Sequence, residues 1–73
     1  MIEVRLFAGL RQGRQKLYSM EPGAVTTVQD IMDALDIRRS EVNILLINGF
    51  HQKPETQVTD GDVVSLFPAV GGG

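Results

Sequence analysis

The feature that most constrains the fold is that one stretch of the 73-residue chain shows helical periodicity. Val28, Ile31, Met32 and Leu35 follow the i, i+3, i+4, i+7 spacing of a single helical face. A sheet formed by a chain of this size needs a cover over one face, and the single long helix can supply it. The spacing therefore predicts one helix that packs against strands formed by the rest of the chain.

The boundaries of this helix also have sequence signals. Thr26 with Gln29, or Thr27 with Asp30, can form a capping arrangement that satisfies the first N–H groups of the helix. The arginines at 38–39 lie near its expected end, where cations suit the helix dipole.

Strand patterns occupy most of the remaining sequence. Residues 2–8 alternate, so Ile2, Val4, Leu6 and Ala8 should share one face of the sheet. The expected strands are 2–8, 15–20, the apolar run 43–48, 50–52 and 63–67. We expect the strand 43–48 to be buried on both faces of the sheet. In the strand 15–20, either Leu17 or Tyr18 can face the core.

Turn signals connect these strands in a definite order. Asn48-Gly49 is a strong hairpin signal, because both positions tolerate positive φ. The order β-β-α-β-β-β, with the first and last strands side by side, predicts an α+β fold of the β-grasp (ubiquitin-like) type. It has a mixed sheet of four to five strands and one main helix packed on one face. We expect a domain over 1–68 and a flexible C-terminal Gly-Gly tail over 69–73.

Composition excludes several classes of function. The net charge of −2 gives no basic footprint for nucleic acid, and no apolar run approaches the roughly 20 residues of a membrane span. There is no cysteine, and the single histidine, His51, is expected at the surface. The N-terminus lacks a signal-peptide pattern, so we expect a cytoplasmic protein. We also expect that this chain itself binds no metal or cofactor.

The loop after the first strand is not a phosphate-binding loop. Three residues separate Gly9 from Gly13, whereas a Walker motif needs four, followed by Lys and Ser or Thr. Arg11, Arg14 and Lys16 form a small basic cluster in this region. The cluster is either a solvated loop or part of a docking surface.

Two aromatic residues are expected on the sheet face away from the helix. If Leu6 and Leu66 point toward the helix, then Phe7 and Phe67 point away from it, because side chains alternate along a strand. Val63 shares that face. An exposed apolar cluster on so small a protein indicates a partner-binding surface, unless a loop or the tail covers it.

The chain ends in Pro68, Ala69, Val70 and then Gly71-Gly72-Gly73. Glycine has no Cβ, so such a segment can enter a channel too narrow for other residues. It also leaves a terminal carboxylate unhindered. The alternative is a frayed end with no function.

The segment from Asp60 to Gly73 resembles the C-terminal signature of the MoaD/ThiS family of ubiquitin-like sulfur carriers. An acidic-Gly-acidic turn, a strand, Phe67-Pro68 and a terminal Gly-Gly carry the resemblance. The stretches 6–11, 27–28 and 47–49 are similar to the family in the same order. The ending is closer to MoaD, the small subunit of molybdopterin synthase, although Ala69 stands where a second proline is usual.

The resemblance implies a specific function. Gly73 would be adenylated by an E1-like enzyme that uses ATP, and then converted to a thiocarboxylate. The tail would enter the large subunit of molybdopterin synthase, in a heterotetramer, and donate sulfur for molybdopterin or tungstopterin. Partners would contact Phe7, Val63, Phe67, Pro68 and Val70. The chain itself would be a non-catalytic carrier.

Three alternatives remain open from the sequence. The chain could be a ThiS-like carrier for thiamine or another sulfur pathway. It could be a ubiquitin-like protein modifier that is conjugated through Gly73. It could also be a passive β-grasp interaction module that does not use its carboxylate.

Overall fold

The computed structural model describes residues 1–69 and confirms the predicted β-grasp architecture. Five strands form one mixed sheet in the order β2-β1-β5-β3-β4, and one α-helix packs against it. The elements are β1 Ile2–Leu6, β2 Leu17–Met20, α1 Val28–Ala34, β3 Val42–Ile47, β4 Phe50–His51 and β5 Val63–Pro68. Short 3-10 helices span Ala8–Arg11, Pro22–Ala24 and Arg39–Glu41.

The centre of the sheet is the parallel pair β1 and β5, as predicted. Leu6 lies opposite Leu66 in this pair, and both side chains are fully buried. β2 is antiparallel to β1, and β3 is antiparallel to β5. The two ends of the chain therefore form the middle of the sheet.

The core lies between α1 and the inward face of the sheet. Each fully buried aliphatic side chain contributes about 1.5–3 kcal/mol through the hydrophobic effect. On β2, Tyr18 and Met20 pack against the core while Leu17 is exposed, which resolves the register of that strand. The buried residues are Ile2, Val4, Leu6, Leu10, Val25, Val28, Ile31, Met32, Ile37, Leu45, Ile47, Val58, Val64 and Leu66.

The helix begins with the second of the two predicted capping arrangements. The Thr27 hydroxyl accepts a hydrogen bond from the Asp30 backbone N–H, and the Asp30 carboxylate accepts from the N–H groups of Thr26 and Thr27. These backbone donors hold the pKa of the Asp30 carboxyl below its ordinary value.

The helix end differs from the prediction. α1 stops at Ala34, so the arginines at 38–39 lie beyond it and next to a 3-10 helix. The cation at the end of the helix is Arg14, from the loop after β1. Its three guanidinium nitrogens donate to the carbonyl oxygens of Leu10, Leu35 and Asp36 at 3.2, 3.0 and 2.9 Å.

Two other expectations were wrong. Ala8 was expected on the core face, but it has a φ of 50° at the start of a 3-10 helix and is exposed, while Leu10 is buried instead. β3 was expected to be buried on both faces, but Asn43 and Ile44 are exposed. The single helix covers one face of the sheet only, so an apolar strand in that sheet has one side uncovered.

The β3–β4 hairpin turns at Asn48-Gly49, where both residues have positive φ as predicted. The Asn48 side chain donates to the Asp62 carboxylate at 2.9 Å and accepts from the Val63 N–H at 2.9 Å. Asp62 also accepts from the backbone N–H and the hydroxyl of Thr59. This network joins the hairpin to the start of β5.

Within residues 1–69, no helix is long and apolar enough to cross a membrane.

We predict that Arg14→Met lowers the free energy of unfolding by about 1–3 kcal/mol. The variant keeps the apolar stem but leaves three carbonyl groups without their charged donor. Urea unfolding monitored by circular dichroism measures the change. Arg38→Met is the matched control at an exposed position, and equal stability of the two variants would contradict the assignment.

We also predict that Asp62 makes the stability of the protein acid-sensitive. Hydrogen bonds from Thr59 and Asn48 hold the pKa of the Asp62 carboxyl below its ordinary value of 3.8. Because the folded pKa is the lower one, this stabilisation is present above about pH 4 and is lost as pH falls through the folded pKa.

Asp62→Asn should therefore be less stable than the wild type at pH 7, and the difference should shrink below pH 4. Unfolding midpoints at several pH values test this. Glu21→Gln removes an exposed acid outside the network and is the control. A stability difference between Asp62→Asn and the wild type that does not change with pH would be evidence against the network.

Candidate partner-binding site

The sheet face away from α1 carries the aromatic pair predicted from the sequence. Phe7 follows β1 directly and Phe67 lies on β5, the neighbouring parallel strand. Their ring centroids are 4.3 Å apart with an interplanar angle of 11°, so the rings are stacked. Both side chains are half-buried. Because Leu6 and Leu66 face the core, strand alternation explains why their successors face outward.

Two aliphatic residues extend this pair across β3. Ile44 lies opposite Phe67 in the antiparallel register, and Leu46 lies opposite Ser65. Ile44 is 36% exposed. We call Phe7, Phe67, Ile44 and Leu46 the open-face patch. The sequence analysis missed the two β3 residues because a continuous apolar run does not show which of its side chains faces the helix.

Val63 lies on the same face but apart from the aromatic pair. It is opposite Glu3 in the β1–β5 register, and Ser65 stands between Val63 and Phe67 on β5. Phe67 lies four positions after Val63 along the strand, which is a distance of about 13 Å. The structure therefore places Val63 at the rim of the open-face patch.

A cleft of about 540 Å³ lies where β5 leaves the sheet. It runs beside Phe67 and Pro68, between the 3-10 helix that starts at Ala8 and the start of β3. Its lining residues are Ala8, Gly9, Asn43, Ile44, Phe67, Pro68 and Ala69. The last residue of this lining, Ala69, is the first residue of the predicted 69–73 tail.

An open depression of about 360 Å³ lies on the other side of Phe7. We call it the basic depression because three cationic side chains and one acid line it. Arg5 forms an ion pair with Glu3. Arg11 donates through Nε to the Leu6 carbonyl at 2.7 Å, and its guanidinium carbon lies 5.4 Å from the centroid of the Phe7 ring. The lining is Glu3, Arg5, Leu6, Phe7, Arg11, Lys16 and Leu17.

The titratable side chains of the described part of the chain are all at least partly exposed. Over residues 1–69, no polar or charged residue is buried, and no three His, Asp or Glu residues lie together as metal ligands would. His51 is exposed on β4, as predicted. The chemistry that these residues offer is an apolar contact surface with a charged border.

Several predicted site residues lie outside the described residues. These are Val70, Gly71, Gly72 and Gly73, which include the predicted acyl group and most of the predicted 69–73 tail. Their assigned roles stay predictions. Of the predicted contact residues that the structure describes, Phe7, Phe67 and Pro68 lie close together, and Val63 lies at the rim of the open-face patch.

Comparisons with known proteins agree with this architecture. SAMP1 from Haloferax volcanii is 27% identical, over 99% of this chain and 98% of that chain, with a TM-score of 0.75. The small archaeal modifier protein 1 of H. volcanii is 26% identical, over 94% of this chain and 97% of that chain, with a TM-score of 0.73.

A third structure comes from Pyrococcus furiosus and is described as molybdopterin converting factor subunit 1. It is 26% identical, over 94% of this chain and 97% of that chain, with a TM-score of 0.70. A search of the curated proteins gave no match.

The family comparison covers nearly the whole chain. The family model for the ThiS family matches residues 4–73, which include the second half of β1, all of β5, the open-face patch and the terminal glycines. The match and the fold together confirm the resemblance that the sequence carries. The chain belongs to the ThiS family, the ThiS/MoaD-like group of small, non-catalytic β-grasp proteins that act as sulfur carriers or ubiquitin-like modifiers.

Proposed function

We propose that this chain is a sulfur carrier whose C-terminal glycine, Gly73, is adenylated and then converted to a thiocarboxylate. The observation that carries the proposal is the family match, which continues through the terminal glycines to residue 73. The stacked pair of Phe7 and Phe67 supports it. Phe67 lies on β5, the strand before this tail, so a partner protein that binds the pair is held close to the tail.

The chemistry follows from the properties of a carboxylate. A carboxylate is a poor acyl donor because its oxygen is a poor leaving group. Attack of the Gly73 carboxylate on the α-phosphate of ATP releases pyrophosphate and gives an acyl-adenylate. A hydrosulfide-equivalent donor then forms a C–S bond as the C–O bond to AMP breaks, which leaves a thiocarboxylate and AMP.

An activating partner must supply this chemistry. The family consists of non-catalytic carriers, and an E1-like adenylating enzyme would bind the ATP. Pro68 ends β5, and the glycines beyond it would reach the active site of the enzyme, because a residue without Cβ fits a narrow channel. The open-face patch would then rest on the enzyme surface.

We propose molybdopterin or tungstopterin synthesis as the recipient pathway, with this chain as the small subunit of a heterotetrameric molybdopterin synthase. The support is the Phe67-Pro68 ending and the likeness to the P. furiosus protein described as subunit 1 of a molybdopterin converting factor. A thiamine or other sulfur pathway is the related alternative. The identity of the large subunit or synthase that co-purifies with the chain distinguishes them.

A second candidate function is protein modification. The likeness to the small archaeal modifier protein 1 favours it, and both functions begin with the same adenylate. Conjugation would join Gly73 to lysines of other proteins. Isopeptide-linked Gly-Gly remnants on cellular lysines would identify a modifier, while their absence and a thiocarboxylate on Gly73 would identify a dedicated carrier.

We predict that one residue appended after Gly73 abolishes thiocarboxylate formation. The appended residue moves the carboxylate by about 3.3–3.6 Å from its place at the adenylation site. Gly73→Ala should also impair activation. Gly71→Ala is the matched control, because it lies before Gly72-Gly73, the terminal Gly-Gly pair that carries the family resemblance. Mass spectrometry after a sulfur-transfer reaction measures the result, and full activity of the extended chain would rule out the proposed mechanism.

We predict that Phe67→Ala weakens binding to the activating enzyme by about 1–3 kcal/mol, as expected for an interface hot spot. Phe50→Ala is the matched control, because Phe50 is 71% exposed but lies opposite the inward-facing Ile47, away from the open-face patch. Thermal unfolding of both variants shows whether the fold is kept. Equal affinities of two folded variants would show that the patch does not bind the enzyme.

A further inference from the structure

The basic depression holds cations that the fold itself does not use. Arg14, just outside it, has all three guanidinium nitrogens bonded to backbone carbonyl groups, one in the 3-10 helix after β1 and two just beyond the end of α1. Arg5 is paired with Glu3. These two arginines are therefore already partnered within the molecule.

Arg11 and Lys16 are different. Arg11 uses Nε to hold the Leu6 carbonyl and lies over the Phe7 ring, which fixes the guanidinium beside the open-face patch. Over residues 1–69, the structure shows no hydrogen bond or ion pair from the terminal nitrogens of Arg11 or from the Lys16 ammonium. Two positive charges thus border the open-face patch. Apart from Arg11 Nε, their N–H groups have no hydrogen-bond partner within residues 1–69.

We propose that Arg11 and Lys16 receive a carboxylate from the partner protein that covers the open-face patch. This inference rests on the proposed function, in which the activating enzyme contacts that patch. The terminal nitrogens of a guanidinium can bind a carboxylate in a bidentate manner. Because the fold already holds Arg11 in place, less side-chain entropy is lost when the pair forms.

Charge complementarity selects an acidic protein surface over a nucleic acid. The chain carries a net charge of −2, and one of the three cations of the depression is neutralised by Glu3. Strong nucleic-acid binding needs many phosphate contacts. By contrast, an apolar centre of Phe7, Phe67 and Ile44 with charges at its edge has the composition of a protein–protein interface.

The test is the rate at which the chain associates with its host's E1-like activating enzyme, measured by stopped flow at several salt concentrations. Charges at the rim of an interface act mainly on the association rate and on its salt dependence. Arg11→Gln and Lys16→Gln should each lower the rate at low salt by roughly threefold or more and flatten the salt dependence. Arg11→Lys keeps the charge and should restore most of the rate.

Lys53→Gln is the matched control, since it removes one exposed positive charge outside the depression and should leave the rate unchanged. Thermal unfolding verifies that each variant is folded. Wild-type rates and salt dependence in both folded glutamine variants would overturn the proposal. So would binding of a labelled single-stranded RNA that is lost in Lys16→Gln while enzyme association is unchanged.

Failure of the proposed function would look different. In that case the wild-type chain would acquire no thiocarboxylate even at saturating enzyme. If the wild type is thiocarboxylated and the two glutamine variants associate normally, only the assignment of Arg11 and Lys16 fails.

Discussion

The parallel pairing of β1 with β5 is the constraint on which the rest of the structure depends. In this register Leu6 and Leu66 meet beneath the helix, so Phe7 and Phe67 stack on the opposite face. A shift of one residue in either strand would exchange an inward-facing side chain for an outward-facing one. One set of backbone hydrogen bonds therefore stabilises the core and aligns the proposed docking surface.

This arrangement also gives so small a chain an exposed apolar surface on which a partner protein can bind. The helix covers one face of the sheet, which leaves Phe7 and apolar side chains of β3 and β5 on the other face. β5 is both the central strand and the strand that leads to the terminal glycines. In the proposed function, a partner that binds the open-face patch therefore binds β5, the strand next to the reacting tail.

Much of this fold was predictable because local signals agreed with one another. The spacing of Val28, Ile31 and Met32 located the helix, Asn48-Gly49 located the hairpin, and the alternation in β1 placed Phe7 on the open face. The exposure of Ile44 was not predictable, because a run of apolar residues has no internal marker of its orientation. Its position became clear only from the register with Phe67.

The roles of the arginines were not predictable either, and for a different reason. Arg14, which lies 21 residues before Leu35 in sequence, completes the end of α1, and nothing local to either segment indicates this contact. The cluster of three basic residues in this loop therefore divides into one structural arginine, Arg14, and two cations that lie beside the patch. The resemblance to the family supplied the proposed role of the tail, which the described residues do not include.

The most direct test of the central claim is the intact mass of the purified chain after incubation with ATP, a hydrosulfide donor and the host's E1-like enzyme. The enzyme should first be shown to thiocarboxylate another carrier of the family. We predict a mass increase equal to the replacement of one oxygen by sulfur, located at Gly73. An unchanged mass with that active enzyme would contradict the carrier function.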